Sequence, residues 1–140
     1  MKRIFVLMLF YSLSSCAATK ENNDLFESYT LYVNEIKRNK VNFVMSMLSI
    51  NRANQIKKLD EKEFPVLSAF PVVLLKIESY YQKIENNKGC LTVNGYGIKN
   101  KPIVLSIKYL HENKKWGVDF VEIYYADSTK EFKKKGICPS

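Results

Sequence analysis

The sequence predicts an α+β domain in which N-terminal helices pack on a curved antiparallel sheet of three to four strands. Apolar residues recur at helical spacing up to about residue 84, then alternate with polar ones at a period of two from about residue 90. Helices and strands therefore fall into two separate runs, the order of a helical layer laid on one side of an antiparallel sheet. Size agrees: of 140 residues, the 125 that follow residue 15 suffice for one core and not two. An aromatic content of 13%, with 9 Tyr and 8 Phe, supplies the large buried areas a small domain needs and argues against disorder.

The chain opens with Lys2 and Arg3 ahead of an apolar run from Ile4 to Tyr11. That run is too short to cross a bilayer, which takes about 20 residues at helical rise. A basic start and a short apolar stretch form the pattern of an export signal. The segment Leu13-Ser14-Ser15-Cys16 resembles the bacterial lipobox, with a leucine three positions before a cysteine and two small residues between. The resemblance implies a diacylglycerol thioether on Cys16, removal of residues 1–15 as signal peptide, and acylation of the new amino terminus. Several acyl chains would then hold the protein at a membrane, each buried methylene adding about 0.8 kcal/mol. With Ala17 and no aspartate after the cysteine, the resemblance further implies an outer-membrane location facing the periplasm. A plain signal peptide cleaved near Ala17 and Ala18 is the alternative.

Residues 16–23 read as the lipidated cysteine and a small, polar tether, and residues 24–140 as the single domain. Asp24 has the position of a helix cap, with Glu27 completing a capping-box pattern. Phe26, Tyr29, Val33 and Ile36 then recur at helical spacing, and the helix is expected to end near Lys37-Arg38-Asn39-Lys40. Val41 to Ile50 is apolar, and periodicity leaves open whether it continues that helix or starts another. Met45 and Met47 read as adaptable packing. The polar stretch that follows carries Asp60, Glu61 and Glu63, and Pro65 and Pro71 predict a bent connection. Val73, Ile77, Tyr80, Tyr81 and Ile84 predict a helix over 72–84, closed at Gly89 by a left-handed residue.

The segments CLTVNGYG and KPIVLSIKYL predict two strands joined by a turn near residues 98–101, and KWGVDFVEIYY a third reached through HENK. Ile103, Leu105, Ile107 and Tyr109 would share one face of the second; Trp116, Val118, Phe120 and Tyr124 one face of the third. The stretch from Lys101 to Ile123 resembles the strand pair of small bacterial lipoproteins in the cystatin-like and nuclear-transport-factor-like superfamilies. The resemblance implies four to six strands, so a further one is expected around residues 128 to 138. It carries no active-site residue onto this chain.

Net charge is +8, from 22 basic and 14 acidic residues, and +6 once Lys2 and Arg3 are removed. Such a balance favours anionic lipid or envelope polymers; export and the lack of any base-reading motif argue against nucleic acid. With Cys16 assigned to lipid, Cys90 and Cys138 remain as an even pair in an oxidising compartment, and a disulfide is expected. In the chain-entropy model it would add roughly 4 kcal/mol. No CxxC accompanies the single histidine, so no metal site is expected. His111 sits in a predicted turn, where a solvated imidazole is ordinary, and odd spacing places Asp119 and Glu122 on opposite strand faces. No catalytic set and no cofactor are expected.

The aromatic set of Tyr80, Tyr81, Tyr96, Tyr109, Trp116, Phe120, Tyr124 and Tyr125 admits a ligand-holding concavity, with core packing the ordinary account. Because both faces of the last strand carry apolar bulk, something should cover the second face, either the basic C-terminal tail held through Cys138 or a partner. Tyr109, Tyr124, Tyr125, Lys133, Lys134 and Lys135 are the candidate binding residues. The reading is a lipid-anchored envelope accessory protein that binds an envelope protein or anionic polymer and is not an enzyme. Alternatives are a periplasmic immunity or inhibitor protein, and a small-ligand carrier with a cystatin-like cavity.

Overall fold

A computed structural model describes residues 24–38, 41–57 and 70–140. The lipobox, Cys16, the tether, Lys40, Asp60, Glu61, Glu63 and Pro65 lie outside the described residues. Three helices, α1 (Leu25–Lys37), α2 (Val41–Ser46) and α3 (Ile50–Lys57), precede four strands: β1 (Lys76–Glu85), β2 (Lys88–Tyr96), β3 (Pro102–Glu112) and β4 (Lys115–Tyr125). The strands form one antiparallel meander in the order β1-β2-β3-β4. The class is α+β, with the helices first.

Helix α1 begins where its cap dictates. The Asp24 carboxylate accepts from the backbone N–H groups of Phe26 at 2.9 Å and Glu27 at 3.3 Å, satisfying donors that have no partner inside the helix. Leu25, Tyr29 and Tyr32 are buried against the sheet, with Phe26, Val33 and Ile36 packed beside them. Phe26 stacks on Tyr80 of β1 with ring centroids 3.8 Å apart. The Val41–Ile50 segment does not form one helix. After α2 the backbone turns outward at Met47, and Leu48 makes a parallel bridge to Val118 on the edge of β4. Ser49 N–H donates to Val118 O at 2.8 Å and Val118 N–H to Met47 O at 2.9 Å, so this connection covers part of an otherwise open sheet edge.

The helix expected over 72–84 is instead a short 3-10 turn, Phe70–Val72, followed by strand β1. Ile77, Tyr80, Tyr81 and Ile84 suit a strand by residue type, and β1 is an edge strand with mostly exposed side chains, so burial imposed no clean alternation on its sequence. Pairing with β2 decides its state, from Lys76 opposite Tyr96 to Glu85 opposite Lys88. Asn86, at φ 54°, takes the left-handed position of the hairpin turn. Gly89 is not a helix terminator but a β2 residue; a Cβ there would lie 2.8 Å from Leu25 Cδ1, so its bareness admits the start of α1. The extra strand expected at 128–138 is absent; that segment is a 3-10 turn, Thr129–Glu131, and an extended tail. The fourth strand is β1.

The turn predicted near 98–101 is present at Ile98–Asn100, and Ile103, Leu105, Ile107 and Tyr109 do share the helix-covered face. The third predicted strand, β4, differs in its facing. Lys108 pairs with Phe120 but Tyr109 with Val118, so Asp119 is an inserted bulge residue. Trp116 and Val118 therefore point to the helices together with Val121 and Ile123, while Phe120, Glu122 and Tyr124 share the outer face. A single residue has reversed the strand's alternation halfway along.

Candidate functional site

On the outer face of the sheet, Tyr124 and the tail lysines come together with the cysteines. On β2, Cys90, Thr92 and Asn94 alternate onto that face, and each fastens one point of the C-terminal tail. The side chain of Asn94, fully buried, donates through Nδ2 to Lys133 O at 2.8 Å and accepts Lys133 N–H at 3.1 Å. Thr92 Oγ1 accepts Ile137 N–H at 2.9 Å. The sulfurs of Cys90 and Cys138 lie at disulfide distance, 1.95 Å, closing a separation of 48 residues. Asn94 Nδ2 also reaches Ser79 Oγ on β1 at 3.0 Å, tying three segments together. At Gly136 a Cβ would lie 2.6 Å from both Cys90 O and Lys83 N, so glycine lets the tail lie directly on the strand backbones. Of the two coverings considered for this face, the tail occupies the β1–β2 half.

The β3–β4 half carries Val104, Ser106 and Lys108 beside Phe120, Glu122 and Tyr124. Phe120 and Tyr124 are 41% and 46% exposed, whereas Val104 beside them is buried. The Tyr124 hydroxyl donates to Glu131 Oε2, and Glu131 Oε1 accepts the N–H groups of Asp127 at 3.0 Å and Ser128 at 3.3 Å. The bond to Glu131 pushes the Tyr124 phenol up and holds the Glu131 carboxyl below its usual range. Lys133 Nζ lies 5.9 Å from the Tyr124 ring centre, and the side chains of Lys134 and Lys135 stand in solvent.

The six predicted binding residues do not form one surface. Tyr109 is 1% exposed and faces the helices; burial, with Tyr29 and Tyr32 beside it, pushes its phenol far up. Burial also raises Tyr29, to about 12, and Tyr32, the latter opposed by the Arg52 charge. Tyr125 pairs with Ile103 and so belongs to the inner face, exposed because it lies at the strand's end. Only Tyr124 and the tail lysines remain on the outer side. The missed members are Asn94 and Thr92, whose polar alternation with Leu91 and Val93 in the central strand was a legible sign of an outer face needing hydrogen-bond partners, and Phe120, hidden by the bulge.

Other clusters serve the fold. Asp119 leaves the alternation that would set it opposite Glu122: its Oδ1 accepts Ser49 Oγ–H at 2.9 Å and its Oδ2 lies 3.0 Å from Lys108 Nζ. Ser49, fully buried, in turn accepts Arg52 N–H at 3.1 Å and caps α3. His111 is not in the turn but on β3, half-buried, its ring 4.8 Å from that of Trp116. A cleft of about 230 Å³ lies between α2, α3 and the β3–β4 turn, lined by Met45, Leu48, Ala53, Lys57 and Gly117 among others. Two of its charged members are engaged: Lys115 Nζ donates to Ser46 O at 2.6 Å, and Glu112 Oε2 accepts Ile50 N–H at 2.7 Å. The aromatic residues expected around one concavity are dispersed, Tyr109 and Trp116 in the core, Tyr80 against α1, and Tyr96 edge-on to Phe132. Among the described residues no three His, Cys, Asp or Glu side chains are grouped to hold a metal. Comparison with protein-family models, with curated proteins and with solved structures finds no match for this chain.

Proposed function

We propose that the chain is a lipid-anchored accessory protein of the bacterial cell envelope, whose domain acts by binding a partner and carries out no reaction. The observation that carries the reading is the lipobox-like Leu13-Ser14-Ser15-Cys16 directly ahead of one compact domain. The domain's outer face supports a binding role: its tail closes the β1–β2 half and leaves Phe120 and Tyr124 partly exposed along β4, with Tyr124 bonded to the Glu131 carboxylate. Exposed aromatic side chains bordered by charge are the composition of a recognition patch. The partner is an envelope protein or an anionic envelope polymer.

The anchor is tested by feeding a labelled fatty acid to cells making the full chain, where Cys16→Ala should abolish the label and move the protein out of the membrane fraction. Unchanged label and fractionation would remove the anchor. The patch is tested by capture from envelope extracts: Phe120→Glu with Tyr124→Glu should lose the partner while circular dichroism still shows the native fold, and full retention by the double variant would refute it.

A further inference from the structure

The chain enters the domain, and its C-terminal tail crosses the sheet at Gly136, at the same stretch of edge strand β1, on opposite faces. Leu25 N–H donates to Gln82 Oε1 at 3.0 Å, so the chain enters beside edge strand β1. On the opposite face of that strand, a Cβ on Gly136 would lie 2.6 Å from Lys83 N and 2.8 Å from Gln82 C. Gly136 directly follows Lys134-Lys135, whose side chains are exposed, whereas Lys133 before them reaches toward Tyr124 of β4; Lys83 pairs with Cys90 and so extends from the same outer face as the tail.

We propose that this β1–tail edge docks on the anionic phospholipid headgroups of the bilayer that holds the anchor. The inference rests on the lipid-anchor reading of Cys16. Residues 17–23 would separate the lipidated cysteine from the cap of α1, and an extended chain of that length reaches at most about 25 Å. The tether therefore lets the edge where the chain enters come down to the headgroups, within the roughly 8 Å over which exposed charges act at physiological ionic strength. Local carboxylates balance two of the lysines and leave two: Glu85 Oε1 is 2.8 Å from Lys83 Nζ, and Glu131 and Lys133 meet at the Tyr124 side chain, so Lys134 and Lys135, facing solvent, carry the unbalanced charge. An acidic protein would match the same charge, but it is the bilayer that the tether holds at this edge. Each lysine brought to an anionic surface should raise partitioning about fivefold.

The test uses the full chain made in a bacterial host and reconstituted into vesicles of phosphatidylcholine alone or mixed with phosphatidylglycerol. Lysine acetylation rates are read by mass spectrometry at low and high salt. Lys83, Lys134 and Lys135 should be labelled several-fold more slowly on the anionic vesicles at low salt, with protection lost at high salt, while Lys57 on α3 is labelled equally on both. The triple variant Lys133→Glu, Lys134→Glu, Lys135→Glu should lose the protection at Lys83; the tail is held by backbone bonds and Cys138, so it should still fold. Equal labelling on both vesicles at low salt overturns the docking surface, and would leave an acidic protein as the match for these lysines. Intact mass reads the anchor separately. If Cys16 proves unmodified, the anchor reading fails, and flotation of that same chain with phosphatidylglycerol vesicles at low salt decides the surface: flotation lost in the triple variant supports it, and no flotation overturns it.

Discussion

The two faces of the sheet are closed by different physics. The inner face is sealed by area: Leu91, Val93, Leu105, Ile107 and Val118 are buried under the helices with Leu25, Tyr29 and Tyr32. The outer face of β1–β2 is sealed by specific bonds, through Asn94, Thr92 and Cys90 to a tail containing Lys133-Lys134-Lys135. Apolar burial is non-directional and tolerates a partner of approximate shape, whereas a lysine-rich tail cannot be held by burial and needs donors and acceptors at fixed places. One sheet therefore carries a conventional core on one side and a pinned strap on the other.

The largest expected effect strikes the inner face alone. Tyr29, raised to about 12 by burial, stays neutral in the fold and ionises near 10 once unfolded. A folded pKa above the unfolded one means that its stabilisation is complete below about pH 10 and is lost as pH rises from there through about 12. Tyr32 and Tyr109 are displaced in the same direction, so the three should act together. Circular dichroism with absorbance of phenolate should show cooperative unfolding coincident with tyrosine ionisation above pH 10. Phenolate appearing in a still-folded protein would contradict the buried trio.

Next in size is Leu105→Ala, which empties a fully buried site over the middle of β3 and should cost about 2–5 kcal/mol by denaturant titration. Cys138→Ser should cost about 2–4 kcal/mol under oxidising conditions and nothing further in reductant, while the cost of Leu105→Ala should be the same in both. A reductant-dependent cost at Leu105 would mean that the two faces are not separately closed. Smaller again, Asn94→Ala should cost about 1–3 kcal/mol, because it removes a buried amide and leaves the Lys133 backbone groups without their partner. Hydrogen exchange should then be faster along 133–137 and unchanged in α1; protection lost equally in both would refute the strap.

Helix α1 was readable because Asp24, Tyr29 and Lys37 act through near neighbours, and the apolar face of β3 because Ile103 to Tyr109 lie under the helices and alternate cleanly. Strand β1 reads as helix because its apolar positions follow helical spacing and its exposed edge position enforced no alternation. The pairing of Cys90 with Cys138 was reached by counting, but nothing local showed that Thr92 and Asn94 hold the same tail. The candidate surface was legible only in its tail lysines and Tyr124, because Tyr109 and Tyr125 sit on the other face.

What the sequence determined by itself was the order of helices before strands, the cap at Asp24, the turn near Ile98 and the extended character of β2, β3 and β4. These depend on interactions between residues a few positions apart, which a linear pattern records. Tertiary structure alone decided that residues 76–85 pair as a strand, that an insertion at Asp119 turns Phe120 outward, that Tyr109 is core, and that the tail closes the β1–β2 half. Each of those depends on a partner tens of residues away, and a one-residue shift in register exchanges inside for outside without altering the local sequence pattern.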